Sequence, residues 1–147
     1  MKIFIDTSAL VKFFHKEIGT DYVTKLINDQ KNEIYISDLA KIEFISAMFR
    51  RYRTNDINEK ILYQAIKNFE DQIKIYNSEK IDNIVINRSI KLLKNFGKEN
   101  GIKSLDSLHL AAFVSKFTKS DYFVSADDVL CNIVKTLGYN IINPVKL

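Results

Sequence analysis

Lys2-Ile3-Phe4-Ile5-Asp6-Thr7-Ser8-Ala9-Leu10-Val11 decides the fold class. Its first half, an apolar run ending in an acid, reads as a short buried strand. Its second half reads as a helix. Thr7 or Ser8 can cap it, and Ala9-Leu10-Val11 with Phe13-Phe14 supply its apolar face. A strand feeding directly into a helix is the building unit of an α/β protein.

The pattern repeats downstream. After Gly19, Tyr22-Val23 and Leu26-Ile27 keep helical spacing to about Lys31. Ile34-Tyr35-Ile36 reads as a strand, and Ser37 or Asp38 caps a helix from Leu39 to about Arg53. A helix over residues 58–71 and a strand over Ile73 to Tyr76 come next. Residues 82–100 form a long helix with Ile86, Ile90 and Leu93 on one side, interrupted late by Gly97 and ended by Gly101. Ser104 caps a helix to about Phe117, Tyr122 to Ser125 is a strand, and residues 128–137 are a helix stopped by Gly138. Asn140 to Asn143 closes as the last strand before Pro144. Short apolar strands alternating with helices imply a mostly parallel sheet covered on both faces. Such sheets bind ligands beyond the carboxyl ends of their strands, near the topological switch point. Asp6 and Asp127 fall at such ends.

Composition narrows the class. At 147 residues one domain spanning 1–147 is expected, large enough for a real core. Hydrophobic residues make up 46%, with ten Phe and seven Tyr, which argues against disorder. Four Gly and one Pro leave little room for linkers, and the single cysteine, Cys131, excludes an internal disulfide and a cysteine-based zinc cluster. No leader pattern opens the chain, and no apolar stretch approaches the ~18 residues of a membrane span. A soluble, cytoplasmic protein is expected. The net charge of +4 permits a nucleic-acid partner without demanding one. Arg50, Arg51 and Arg53 crowd one helix end, where they suit phosphate, an acidic partner, or the negative pole of their own helix.

Four acids invite a chemical reading. Asp6 and Asp127 end strands, Asp106 lies in the first turn of a helix, and Glu43 sits among Ala40, Ile42, Phe44, Ile45 and Ala47. Each has an ordinary explanation: Asp6 and Asp127 as helix caps, Asp106 as a first-turn acid, Glu43 as the partner of a lysine. Gathered in one cleft they repel one another, and a hard divalent cation removes that objection. If they converge, the chain is a metal-dependent enzyme acting on phosphate. His109 shares nearly the same helix face as Asp106 and is expected to be a hydrogen-bonded packing residue rather than a general base. His15 is expected to be solvated, and two histidines argue against a His-rich zinc site. No Gly-rich phosphate loop and no Gly-x-Ser-x-Gly occurs.

Taken in order, Ile5-Asp6-Thr7-Ser8-Ala9-Leu10, Ser37-Asp38-Leu39 to Glu43, Leu105-Asp106-Ser107-Leu108-His109-Leu110-Ala111, and Ser125-Ala126-Asp127-Asp128-Val129-Leu130 with Gly138 and Asn143-Pro144 resemble the PIN domain. The likeness is greatest to single-domain VapC-type toxins of prokaryotic toxin–antitoxin pairs, and it covers the whole chain. It implies a three-layer α/β/α sandwich and a Mg²⁺- or Mn²⁺-dependent ribonuclease with ligands at Asp6, Glu43, Asp106 and Asp127. It also implies an RNA substrate, a small antitoxin partner and a homodimer. Ser125 stands where the family usually has Thr, which keeps the hydroxyl, and Asp128 is an extra acid beside the motif. Ser8 or Ser125 is expected to orient a carboxylate or a metal-bound water, and Arg50 to reach a neighbouring phosphate or an acidic group of the antitoxin. Two rivals are a catalytically silent RNA- or protein-binding module of the same fold and a haloacid-dehalogenase-like phosphatase. The latter needs a second Asp two residues after the nucleophile, where this chain has Ser8.

Overall fold

A computed structural model describes residues 1–147. Its five strands are β1 (Lys2–Ile5), β2 (Glu33–Ser37), β3 (Asn77–Glu79), β4 (Tyr122–Val124) and β5 (Asn140–Ile142). Its seven helices are α1 (Thr7–Phe14), α2 (Thr20–Asn28), α3 (Leu39–Arg53), α4 (Glu59–Gln72), α5 (Asn83–Asn100), α6 (Ser104–Lys116) and α7 (Asp128–Thr136). The strands form one sheet in the order β3-β2-β1-β4-β5, and every pairing is parallel. The chain therefore builds outward from β1 on one side and then returns to add β4 and β5 on the other. The switch point lies between β1 and β4, where Ile3, Phe4 and Ile5 pair with Tyr122, Phe123 and Val124.

Alternation along β1 divides the core. Ile3 and Ile5 pack with Leu10, Val23, Phe44, Met48 and Leu62 under α1–α4. Phe4 points the other way, to Leu110, Phe113, Phe123 and Ile133 under α5–α7. Aromatic rings lock each layer. Phe4 stacks on Phe123 with centroids 5.6 Å apart, and Phe44 stacks on Phe69 at 4.0 Å. Both strands at the switch point are thus buried on both faces, which is why they read as unbroken apolar runs. The helical layers on the two faces make the three-layer α/β/α sandwich.

Five expectations are corrected. Residues Ile73–Ile75 form a 3₁₀ turn, and the strand is the polar segment just beyond it, Asn77–Glu79. As an edge strand it needs only its backbone pairing to β2, so its side chains carry no apolar signal. In α5 the buried face is Val85, Ser89 and Leu92, whereas Ile86 and Ile90 are exposed. The small Ser89 lets α6 approach closely, and its hydroxyl meets that of Ser107 at 2.5 Å. The helix also continues through Gly97. The cap of α1 is Asp6, not Thr7 or Ser8, and α6 follows Lys103 without a side-chain cap from Ser104.

Candidate active site

Asp6 is the most deeply buried of the four acids. It ends β1 and caps α1 by accepting from the Ala9 backbone at 3.1 Å through Oδ1. Ser8 Oγ donates to the same oxygen at 2.7 Å, and Ser125 Oγ donates to Oδ2 at 2.9 Å. The two serines in turn accept backbone N–H groups from the loop after β4, Ala126 to Ser8 at 2.9 Å and Asp127 to Ser125 at 3.0 Å. A carboxylate on one half of the sheet thereby fixes the loop that carries Asp127 on the other half. Asp127 caps α7 through Oδ1, which accepts from Leu130 at 3.0 Å. The ordinary explanations for Asp6 and Asp127 are therefore correct, and in Asp127 they leave Oδ2 without a protein partner.

The other two acids enter from helices. Asp106, in the first turn of α6, is half-buried and makes no hydrogen bond. Burial raises its carboxyl, and the charges of Asp127, Asp6 and Glu43 raise it further, to about 6; His109 opposes the shift. Burial likewise pushes Asp6 up, against the pull of His109 and the hydrogen bonds from Ser8, Ser125 and Ala9. That Asp106 feels all three other acids places the four in one electrostatic neighbourhood. Glu43 on α3 pairs not with a lysine but with His109, whose Nε2 lies 2.6 Å from Oε1. His109 is a buried, hydrogen-bonded residue as expected. Its contact with Glu43 joins positions 66 residues apart, and no local pattern announces it.

Oxygen-only donors suit a hard divalent cation. As placed, no three His, Cys, Asp or Glu side chains are grouped so as to hold an ion by themselves. An ion here would complete its shell with water or phosphate oxygens, which is the habit of Mg²⁺. Asp106, half-buried, unpartnered and facing like charges, is the group such an ion would relieve most.

The remaining polar residues separate into different tasks. Asp128 turns outward to Lys146 at 2.6 Å and Asn143 at 3.3 Å, so it braces the C-terminal segment. The three arginines do not act as a unit. Arg51 donates to Glu17 Oε2 at 2.7 Å, while the buried Lys12 holds Oε1 at 2.8 Å. Burial alone would raise the Glu17 carboxyl, but the hydrogen bonds and charges of Arg51 and Lys12 hold it below its usual range. Arg50 is exposed and lines a groove of about 450 Å³ with Thr7, Ser8, Glu43, Ser46 and Leu105; Arg51 lines it too, but its guanidinium is held by Glu17. Arg53 is exposed and lines neither this groove nor its neighbour, where the half-buried His15 sits with Glu17, Arg50 and Arg51.

The family model for the PIN domain matches residues 3–135, and the chain belongs to that family. No curated protein sequence matches it. Among solved structures, it is similar to VapBC2 from Rickettsia felis bound to a promoter DNA fragment, at TM-score 0.68 and 12% identity over 97% of this chain and 98% of that one. A toxin–antitoxin complex from Klebsiella pneumoniae gives 0.67 and 14% over 99% of both chains. VapC20 from Mycobacterium tuberculosis, a sarcin-ricin loop cleaving toxin, gives 0.70 and 13% over 96% and 97%. At these identities the likeness is one of fold.

The Asp106 shift carries a stability consequence with a definite sign. Folding raises this carboxyl from 3.8 to about 6, so between those values the folded state binds more protons than the unfolded state. Stability must fall as pH rises through that window. Asp106 is half-exposed, so solvent screening reduces the effect to about 1 kcal/mol. In EDTA, Asp106→Asn should therefore be more stable than the parent at pH 7 by about 1 kcal/mol, with the gap closing near pH 4. Urea denaturation of both proteins at the two pH values checks this. An Asn variant less stable at pH 7, or a gap independent of pH, contradicts the shared field.

Proposed function

We propose that this protein is a Mg²⁺- or Mn²⁺-dependent endoribonuclease and the toxin of a type II toxin–antitoxin pair. The observation that carries the reading is the set of four carboxylates near the carboxyl edge of β1 and β4: burial, and then the charges of Asp127, Asp6 and Glu43, raise Asp106 to about 6. Membership in the PIN family and the toxins among the similar structures support it. The same membership sets aside the phosphatase reading.

Asp6, Asp106 and Asp127 would hold the cation, with Glu43 directly or through water. Bound Mg²⁺ or Mn²⁺ supplies charge neutralisation at a phosphodiester and eases deprotonation of water. The chain's own residues supply position. Ser8 and Ser125 clamp the two oxygens of Asp6, so its carboxylate cannot rotate without breaking bonds to the β4 loop. Arg50, exposed in the groove beside Glu43 and without an ion-pair partner, is placed to meet a neighbouring phosphate or an acidic group of an antitoxin. Exposed Ile86 and Ile90, one turn apart on α5, leave apolar surface for a second copy or a partner protein.

Replacing Asp6, Asp106 or Asp127 singly by Asn should nearly abolish Mn²⁺-dependent cleavage of total RNA while circular dichroism stays that of a folded protein. EDTA should do the same to the parent. Cleavage that survives both EDTA and all three substitutions contradicts the reading. A folded parent that cleaves no RNA under any metal condition assigns the chain to the silent binding module instead.

The arginines give an independent check. Arg50→Gln should weaken RNA binding and make the slope of log affinity against log salt shallower by about one unit. Arg51→Gln should leave that slope alone and lower stability by about 1–2 kcal/mol, because it strips Glu17 of its shared cation. Equal effects of the two changes on the salt slope contradict this division.

A further inference from the structure

Three other elements converge on the ring of His109. It lies on α6, only 1% exposed, and its Nε2 meets Glu43 Oε1 of α3 at 2.6 Å. Its Nδ1 meets Ser37 Oγ, the fully buried last residue of β2, at 2.8 Å. Thr7 Oγ1, at the start of α1, stands 3.4 Å from Nε2. A histidine that only filled core space would not need partners at both nitrogens.

The polarity of this chain of bonds follows from the donors available. An ionised carboxylate can only accept, so the proton between His109 and Glu43 is carried by Nε2. Ser37 Oγ suits Nδ1 in either state of the ring, since the hydroxyl donates to a neutral Nδ1 and accepts from a protonated one. The ring is fixed at both ends, and Oε1 of Glu43 is taken. Oε2 has no partner within the protein, and the residue lines the groove shared with Arg50 and Ser8. Without this anchor, the flexible Glu43 side chain would have to be ordered at the moment of use.

We propose that His109 is a positioning residue for Glu43, anchored by Ser37, which holds one carboxylate oxygen so that Glu43 acts in the cleft through the other alone. What Glu43 does there rests on the metal-dependent reading given above; the direction of the hydrogen bonds does not.

The test has two arms. Long-range ¹⁵N–¹H correlation of the His109 ring at neutral pH should find the proton on Nε2; a ring protonated on Nδ1 alone overturns the proposal. Titration calorimetry with Mn²⁺ alone, on the full chain, should show His109→Gln binding about tenfold more weakly than the parent. In a Glu43→Gln background the same change should add less than about twofold, because the carboxylate it positions is gone. Ser37→Ala keeps the ring and should give a smaller loss of the same kind, which preserves the test if His109→Gln does not fold. Loss of melting temperature with unchanged Mn²⁺ affinity, or equal losses with and without the Glu43 carboxylate, overturns the positioning role. If the parent binds no Mn²⁺, the metal-dependent reading falls, and the tautomer measurement still decides the anchoring.

Discussion

Repulsion among carboxylates sharing a partly desolvated cleft is the constraint on which the rest of this molecule turns. Two such charges 4 Å apart repel by about 4 kcal/mol at an effective dielectric of ~20, and burial adds its own penalty. A sequence free to relax would rotate these side chains into solvent. Here Asp6 cannot, because it is buried at the end of β1 between two packed helical layers. Neither can the loop after β4, because Ser8 and Ser125 tie its backbone to that same carboxylate. The switch point of the sheet thus serves as a rigid base for charges that would otherwise separate.

The cost is offset locally by dual use of oxygens. Asp6 and Asp127 each spend Oδ1 on a helix cap, a role that stabilises a carboxylate by about 1 kcal/mol. Glu43 spends Oε1 on His109. Asp106 has no such outlet, and burial with the neighbouring charges raises its carboxyl to about 6; Asp6, more deeply buried, is raised as well despite its hydrogen bonds. The strain therefore falls on these two acids, where a cation would relieve it. For Asp127 and Glu43 the structural role takes one oxygen and leaves the other without a protein partner, whereas Asp6 has both oxygens hydrogen-bonded.

What could be read beforehand follows the physics of each signal. Ile3-Phe4-Ile5 and Tyr122-Phe123-Val124 were legible as central strands because burial on both faces leaves an unbroken apolar run. Asp6 and Asp127 at their ends followed from that placement, whereas the support that Ser8 and Ser125 give Asp6 was an expectation attached to the resemblance. Asn77–Glu79 was not legible, since an exposed edge strand is defined by backbone pairing rather than by side chains. The buried face of α5 was misread because Ser89, not an isoleucine, meets α6. Arg51 with Glu17 and His109 with Glu43 were hidden for a related reason. Each joins residues 34 and 66 positions apart, where periodicity carries no information.

The central claim is that the four acids form one cation site at the β1–β4 switch point, and its most direct measurement is anomalous diffraction from crystals grown in millimolar Mn²⁺. The account predicts a manganese peak bonded to carboxylate oxygens of Asp6, Asp106 or Asp127, with the rest of its shell made by water and with Glu43 presenting Oε2. Manganese absent from that cleft, or bound only at exposed acids such as Asp128, would contradict it.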